Sequence, residues 1–198
     1  MIPIMDSKRQ YAKIGDKMEE AVLEVMRSGS YILGKNNKAF EEEFAAYCGT
    51  KYAVALNSGT DALHVALRAL DIGKGDEVIT TAFTFVATTE AIGIVGAKPV
   101  FADIDKDTFN IDAEKIEALI TPNTKAIIPV HLYGQPCEMD KIMDIAKRHN
   151  LHVIEDACQG IGSEYKGQKV GSFGTFGCFS FYPTKNLGTM AVSYTHLR

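Results

Sequence analysis

Short apolar runs rich in β-formers alternate along this chain with stretches of helical periodicity, and no linker or low-complexity segment interrupts them. Strand–helix–strand alternation with short connections produces crossover units, so the pattern predicts an α/β fold with a mostly parallel sheet covered by helices on both faces. The strand candidates are Tyr52 to Leu56, Glu77 to Thr80, Pro99 to Ala102, Ala126 to Val130, Leu151 to Ile154 and Cys178 to Phe181. Helical patterns span Asp16 to Arg27, Lys38 to Tyr47, Gly59 to about Leu70, Phe85 to Val95, Asp112 to Ile120 and Met139 to His149. Leu63, Ala66, Leu67 and Leu70 form the buried stripe of the third of these. With 198 residues, 46% of them hydrophobic and 23% charged, the chain can build one sizeable core.

Charge and cysteine usage narrow the function. Lys and Arg total 21 against 25 Asp and Glu, a net charge of −4, and no like-charged block is long enough to follow a phosphate backbone, which argues against nucleic acid. The N-terminus lacks the basic-then-apolar build of a signal peptide, and no apolar run approaches the roughly 20 residues of a membrane span, so the expected location is cytoplasmic. Cys48, Cys137, Cys158 and Cys178 form no C-x-x-C pair and are expected to be reduced and packed. No metal site is read: His131 has no Cys or acid at metal spacing and is expected to be a satisfied rim or core histidine, and His64 to be packing. Tyr31 is a weaker candidate for reaching a substrate.

In parallel sheets ligands bind beyond the carboxyl ends of the strands. Four segments follow such ends: Asn57 to Thr60, Thr81 to Phe85, Asp156 to Gln159 and Tyr182 to Lys185. They are expected to converge on one rim. Ser58, Gly59 and Thr60 open a helix, where backbone N–H groups and the dipole favour a phosphate dianion and Gly59 allows close approach. Taken alone, S-G-T is first of all a plain N-cap. Asp156 ends a run too apolar to be solvated, so it needs a cationic or hydrogen-bonding partner; a protonated pyridine nitrogen is one, and the cap of the next turn is another. Phe85 could lie over a heterocycle, although an aromatic at a helix start is more often core.

Lys185 stands just past an apolar strand in a polar turn with Ser180, Tyr182, Thr184 and Asn186. A lysine with its ordinary pKa of about 10.4 is neutral in only roughly one molecule in 2,500 at pH 7, so nucleophilic use needs desolvation or a nearby positive charge. An isolated lysine is ordinarily a solvated loop residue. Its place among the other three loops outweighs that reading and suggests an aldehyde cofactor carrying a phosphate.

The strings SGTDAL, GDEVIT, TFVAT, PVFADID, TKAIIPVHLYG, VIEDACQ and FSFYPTKNLG, in that order, resemble the DegT/DnrJ/EryC1/StrS family of sugar aminotransferases, fold-type I enzymes dependent on pyridoxal 5′-phosphate. The resemblance runs from about Ile4 to Gly188 and corresponds to the family's large domain. It implies that Lys185 carries the cofactor aldehyde, Asp156 pairs the pyridine nitrogen and Gln159 hydrogen-bonds the ring hydroxyl. It implies further that Gly59, Thr60, the amide of Asp61 and Ser180 hold the phosphate while Phe85 stacks on the ring. Relatives that run dehydrations with histidine at the lysine position are disfavoured by Lys185. The activity implied is transfer of an amino group from an amino acid, glutamate in most of the family, to a nucleotide-linked keto-sugar for polysaccharide or antibiotic sugars, by a homodimer.

After Gly188 the family continues into a Gly-Asp-Gly-Gly turn, a further strand and a C-terminal domain, whereas this chain reads TMAVSYTHLR. Residues 1–189 are therefore expected to be an incomplete cofactor-binding large domain and 190–198 an atypical tail, with the small domain absent; Ala191 to Thr195 has some β propensity to fill the missing strand. Two other readings follow: an inactive or regulatory protein that keeps the fold, and a different fold-type I enzyme.

Overall fold

The computed structural model describes residues 6–189. Five parallel strands form the central sheet: β1 (Glu77–Thr81), β2 (Lys98–Ala102), β3 (Thr124–Ile127), β4 (His152–Asp156) and β7 (Phe176–Cys178), in the order β2-β1-β3-β4-β7. A two-residue-per-strand hairpin, β5 (Glu164–Tyr165) with β6 (Gln168–Lys169), interrupts the connection from β4 to β7. The helices are α1 (Ser7–Ser28), α2 (Lys35–Cys48), α3 (Gly59–Ala69), α4 (Ala87–Ile94) and α5 (Met139–Arg148). None of the described helices is long and apolar enough to cross a membrane.

Neighbouring residues on each strand divide between two cores, as the alternation of side chains across a pleated sheet requires. Val78, Ala126, Ile128 and Ile154 face Ala62, Leu63, Ala66 and Leu67 of α3 and Ala91 and Ile92 of α4. Ile79, Ile127 and Val153 face Met139, Ile142, Ile145 and Ala146 of α5 together with Ile111 and Ile116. Both faces are thus covered, in agreement with the expected architecture, and all five residues of β1 are buried. A third cluster, Phe44, Cys48, Ala157, Ile161, Val170, Phe179 and Phe181, packs α2 against the segments that follow β4 and β7.

The chain moves outward from β1 to β2 and then returns past β1 to β3, so the strand order reverses between β1 and β3. Crevices form at such reversals, on the carboxyl side of the strands. Thr81, Asp156 and Cys178 end their strands on that side.

The first helix begins at Ser7 rather than Asp16, and three further expected elements differ. Asp112 to Ile120 is not an α-helix but two 3₁₀ turns, Ala113–Lys115 and Glu117–Leu119; its buried residues Ala113 and Ile116 stand three apart, the period of a 3₁₀ turn. The last ladder covers Phe176 to Cys178 rather than Cys178 to Phe181, because β4 ends at Asp156, opposite Cys178, and leaves nothing of β4 for the next residues to pair with. Tyr52 to Leu56 forms no ladder among the described residues; the Ala55 N–H goes instead to Glu41 Oε1 at 2.8 Å. In the fold implied by the resemblance its neighbour is the strand after the lysine, and the segment expected to replace that strand, Ala191 to Thr195, lies outside the described residues.

Candidate active site

α3 begins with Ser58 in an extended conformation, and its Oγ accepts from Asp61 N at 3.0 Å and donates to Asp61 Oδ2 at 2.9 Å. The S-G-T turn is therefore a capped helix start, as the plain reading of S-G-T requires. The cap takes up the Asp61 amide. Among the described residues the Gly59 and Thr60 N–H groups have no protein acceptor, so two first-turn donors with the helix dipole behind them face the rim.

What lies against that turn is the informative part. A Cβ on Gly59 would fall 2.9 Å from Cys158 Sγ and 3.0 Å from Ser180 Cβ, so the helix start, the turn after β4 and the segment after β7 meet at one point. Cys158 in turn donates its N–H to Asp156 Oδ1 at 3.2 Å. Burial pushes the Cys158 thiol well above its usual range, helped by the charge on Asp156, while the Lys185 ammonium is close enough to pull it back. Gly59, Ser180, Cys158 and Asp156 are thus contiguous, and Lys185 follows Ser180 five residues later on the same side of the sheet.

Asp156 is 6% exposed, and its second oxygen, Oδ2, accepts from Thr88 Oγ1 at 2.8 Å. Among the described residues each oxygen of the carboxylate has one hydrogen-bond donor, which leaves a lone pair on each for a cation at the rim. Gln159 is partly buried, and its Oε1 accepts from Tyr133 N at 2.7 Å. A backbone N–H can only donate, so the side-chain amide is oriented with its NH₂ away from Tyr133 and available to an acceptor. That bond also holds Tyr133 in a left-handed conformation, φ 52°. Phe85 is 67% exposed, on the loop between β1 and α4, and is not a core residue. Tyr31, its hydroxyl donating to Met26 O at 3.0 Å, lines a cavity of about 850 Å³ with Ile32, Phe40, Leu56 and Asn57, next to the S-G-T turn.

His131 is fully buried and plays the structural part expected of it. Nδ1 accepts from Cys137 N at 3.1 Å, which makes Nε2 the protonated nitrogen and a donor to Glu155 Oε2 at 3.1 Å. The sequence does not single out Thr84, Thr88 or Tyr133, and offers Cys158 only as a packed thiol. Thr84 precedes α4 and Thr88 lies in its first turn, so no helical periodicity ties them to Asp156.

Residues 12–192 match the DegT/DnrJ/EryC1/StrS aminotransferase family. The chain belongs to that family. It is 53% identical to the pleiotropic regulatory protein of Geobacillus stearothermophilus over 94% of its own length and 50% of that protein. It is 51% identical to the UDP-N-acetyl-3-dehydro-alpha-D-glucosamine 3-aminotransferase of Acidithiobacillus ferrooxidans over 94% of its length and 51% of the relative. The solved structure of ntda from Bacillus subtilis with bound cofactor PMP superposes with a TM-score of 0.92 at 38% identity, covering 99% of this chain and 44% of that one. This DegT/DnrJ/EryC1/StrS chain spans about half the length of the curated relatives it matches.

Proposed function

We propose that the rim holds pyridoxal 5′-phosphate and serves transfer of an amino group from an amino acid, with glutamate the donor suggested by the resemblance, to a nucleotide-linked keto-sugar. The observation that carries this is the meeting of Gly59, Ser180, Cys158 and Asp156 at the carboxyl ends of β4 and β7, with Lys185 on the segment that continues from Ser180. The family match, the sugar aminotransferase from Acidithiobacillus ferrooxidans and the PMP-bound Bacillus subtilis structure support the same reading.

The donor set fits the group. Gly59 and Thr60 N–H, the Thr60 hydroxyl and Ser180 would hold the phosphate, in a place where a single methyl on Gly59 has no room. The Asp61 amide, bound to Ser58 Oγ, joins them only by giving up that cap. Asp156 would pair the ring nitrogen, the Gln159 amide NH₂ the ring hydroxyl, and Phe85 would cover the ring face. When bound, the protonated pyridine ring supplies an electron sink for the α-carbanion of the amino acid.

This chain's residues then have separable tasks. Asp156, buried and holding a donor on each oxygen, keeps a negative charge fixed where a ring N–H needs it. Lys185 Nζ would hold the cofactor aldehyde and, as a free amine, would move the proton at the α-carbon of the amino donor. The phosphate cradle anchors the ligand against a helix start that cannot move without breaking the α3 packing.

Lys185→Ala is expected to abolish the visible absorption of the lysine-bound cofactor while pyridoxamine phosphate still binds; a variant that keeps the band overturns the assignment. Single-turnover amination of nucleotide keto-sugars against simple keto acids tests the acceptor class. A second reading, a protein that holds the cofactor for regulation without turnover, is favoured by the name of the Geobacillus stearothermophilus relative. Retention of the absorption band without any amine transfer distinguishes it.

A further inference from the structure

Thr88 is fully buried, yet its hydroxyl is not spent on a core contact: Oγ1 lies 2.8 Å from Asp156 Oδ2, 3.0 Å from Thr84 Oγ1 and 3.2 Å from the Phe85 carbonyl. One hydroxyl has one hydrogen to give. An ionised carboxylate accepts only, and a hydrogen bond to it is the strongest of the three on offer, so the Thr88 proton goes to Asp156. The Thr84 hydroxyl must then donate to Thr88 Oγ1. The two threonines form a directed chain, Thr84 to Thr88 to Asp156, whose polarity is set by the charge at its end, and each link polarises the next.

We propose that Thr88, backed by Thr84, is a positioning residue that aims the free lone pair of Asp156 at the ring nitrogen of the bound cofactor. This rests on the cofactor reading above. The covalent frame supports it: Asp156 is the last residue of β4 and Thr88 lies in the first turn of α4, so the bond clamps the carboxylate against rotation from outside its own strand. Thr84 and Thr88 also flank Phe85, so their mutual hydrogen bond spans the turn that carries the ring-covering candidate. A threonine that merely relieved the burial of Asp156 would do so whether or not the ligand had a ring nitrogen. A threonine that aims Asp156 matters only to a ligand that has one.

The test compares apparent affinities of the full chain for pyridoxal 5′-phosphate and for its 1-deaza analogue, in which C–H replaces the ring nitrogen, by absorbance titration. Thr88→Val is expected to weaken pyridoxal 5′-phosphate by about tenfold, the order set by one hydrogen bond to a charged group, and to leave the deaza analogue nearly unchanged. Thr88→Ser restores the preference for the nitrogen-bearing ring, and Thr84→Val reduces it in the same direction by less. The ratio of the two affinities is insensitive to a partial loss of folded protein. If Thr88→Val does not fold, Thr84→Val, at a half-buried position, carries the same comparison. Equal weakening of both ligands, or of neither, overturns the inference while leaving the cofactor reading intact. A wild-type chain that binds neither ligand overturns both.

Discussion

Gly59 at the start of α3 lies against Ser180, beyond β7, so closely that a Cβ on the glycine would stand 3.0 Å from the serine Cβ and 2.9 Å from Cys158 Sγ. The same turn holds the Gly59 and Thr60 N–H groups, which have no protein acceptor among the described residues.

Gly59→Ala is expected to cost about 1–3 kcal/mol of stability by overpacking and to weaken pyridoxal 5′-phosphate by moving the helix start off the serine. Removing the sulfur in a Cys158→Ala background recovers part of the stability, since the Ser180 Cβ still blocks the methyl. Denaturant unfolding of the two single variants and the double gives the coupling. A Gly59→Ala protein as stable as its parent would show that the close approach is not a constraint.

How far the sequence carries depends on whether a feature is local. The alternation of Val78 with Ile79 and of Val153 with Ile154 is a local pattern with period two, so both the sheet and its two covered faces are readable from it. The rim follows from topology, since ends of parallel strands share a side. Contacts between distant segments are another matter. The bond from Thr88 to Asp156 joins a helix to a strand, and nothing in the spacing of TFVAT or VIEDACQ reports it. The capping role of Ser58 was legible, but not that its cap consumes the Asp61 amide. The β5–β6 hairpin escaped because two residues per strand carry no periodicity, and the 3₁₀ turns because Ala113 and Ile116 satisfy a helical template equally well.

Glu155 is fully buried and accepts four hydrogen bonds: from Gly171 N and His131 Nε2 on Oε2, and from Phe173 N and Gly174 N on Oε1. In Glu155→Gln an NH₂ must replace one oxygen and confront two donors whichever way it turns. His131 cannot yield by changing tautomer, because its Nδ1 is held as an acceptor by Cys137 N–H. The expected loss is about 3 kcal/mol or more. Glu164→Gln, in an exposed pair with Lys169, serves as control and is expected to change stability by less than about 0.5 kcal/mol. Equal melting temperatures for the two variants would remove Glu155 from the list of structural anchors.

Two glycines of the segment leading to the lysine separate close approach from backbone conformation. A Cβ on Gly177 would overlap the carbonyl oxygen of Gly171, which is backbone and cannot swing aside, whereas Gly167 has open space around it but φ +82°. Gly177→Ala is expected to cost about 3 kcal/mol or more, and Gly167→Ala about 1–2 kcal/mol from the left-handed conformation alone. The β4–β7 ladder depends on Gly177 through its register with Glu155, so the first variant should also lose cofactor binding while the second retains it. Thermal melts alongside cofactor titration check the order, and the reverse order would contradict the packing at β7.

Glu117 joins the 3₁₀ turns to the end of α5. It is bound by the Arg148 guanidinium and by His149 Nε2 at 2.7 Å, while Arg148 also holds Asp144 at 3.0 Å. Hydrogen bonds from Arg148 and His149 hold its carboxyl down at about 2, below the ordinary 4.5. A depressed carboxyl stabilises the folded state fully above the unfolded value and loses that contribution as pH falls through the folded one. The stability difference between wild type and Glu117→Gln should therefore shrink as pH falls from about 4.5 toward 2. The group is open to solvent, so the difference should also diminish as salt rises from 0.01 M to about 1 M. Urea unfolding at stepped pH and two ionic strengths measures both trends. A difference that stayed level down to pH 2 at low salt would mean that the pairing seen here does not lower the Glu117 carboxyl.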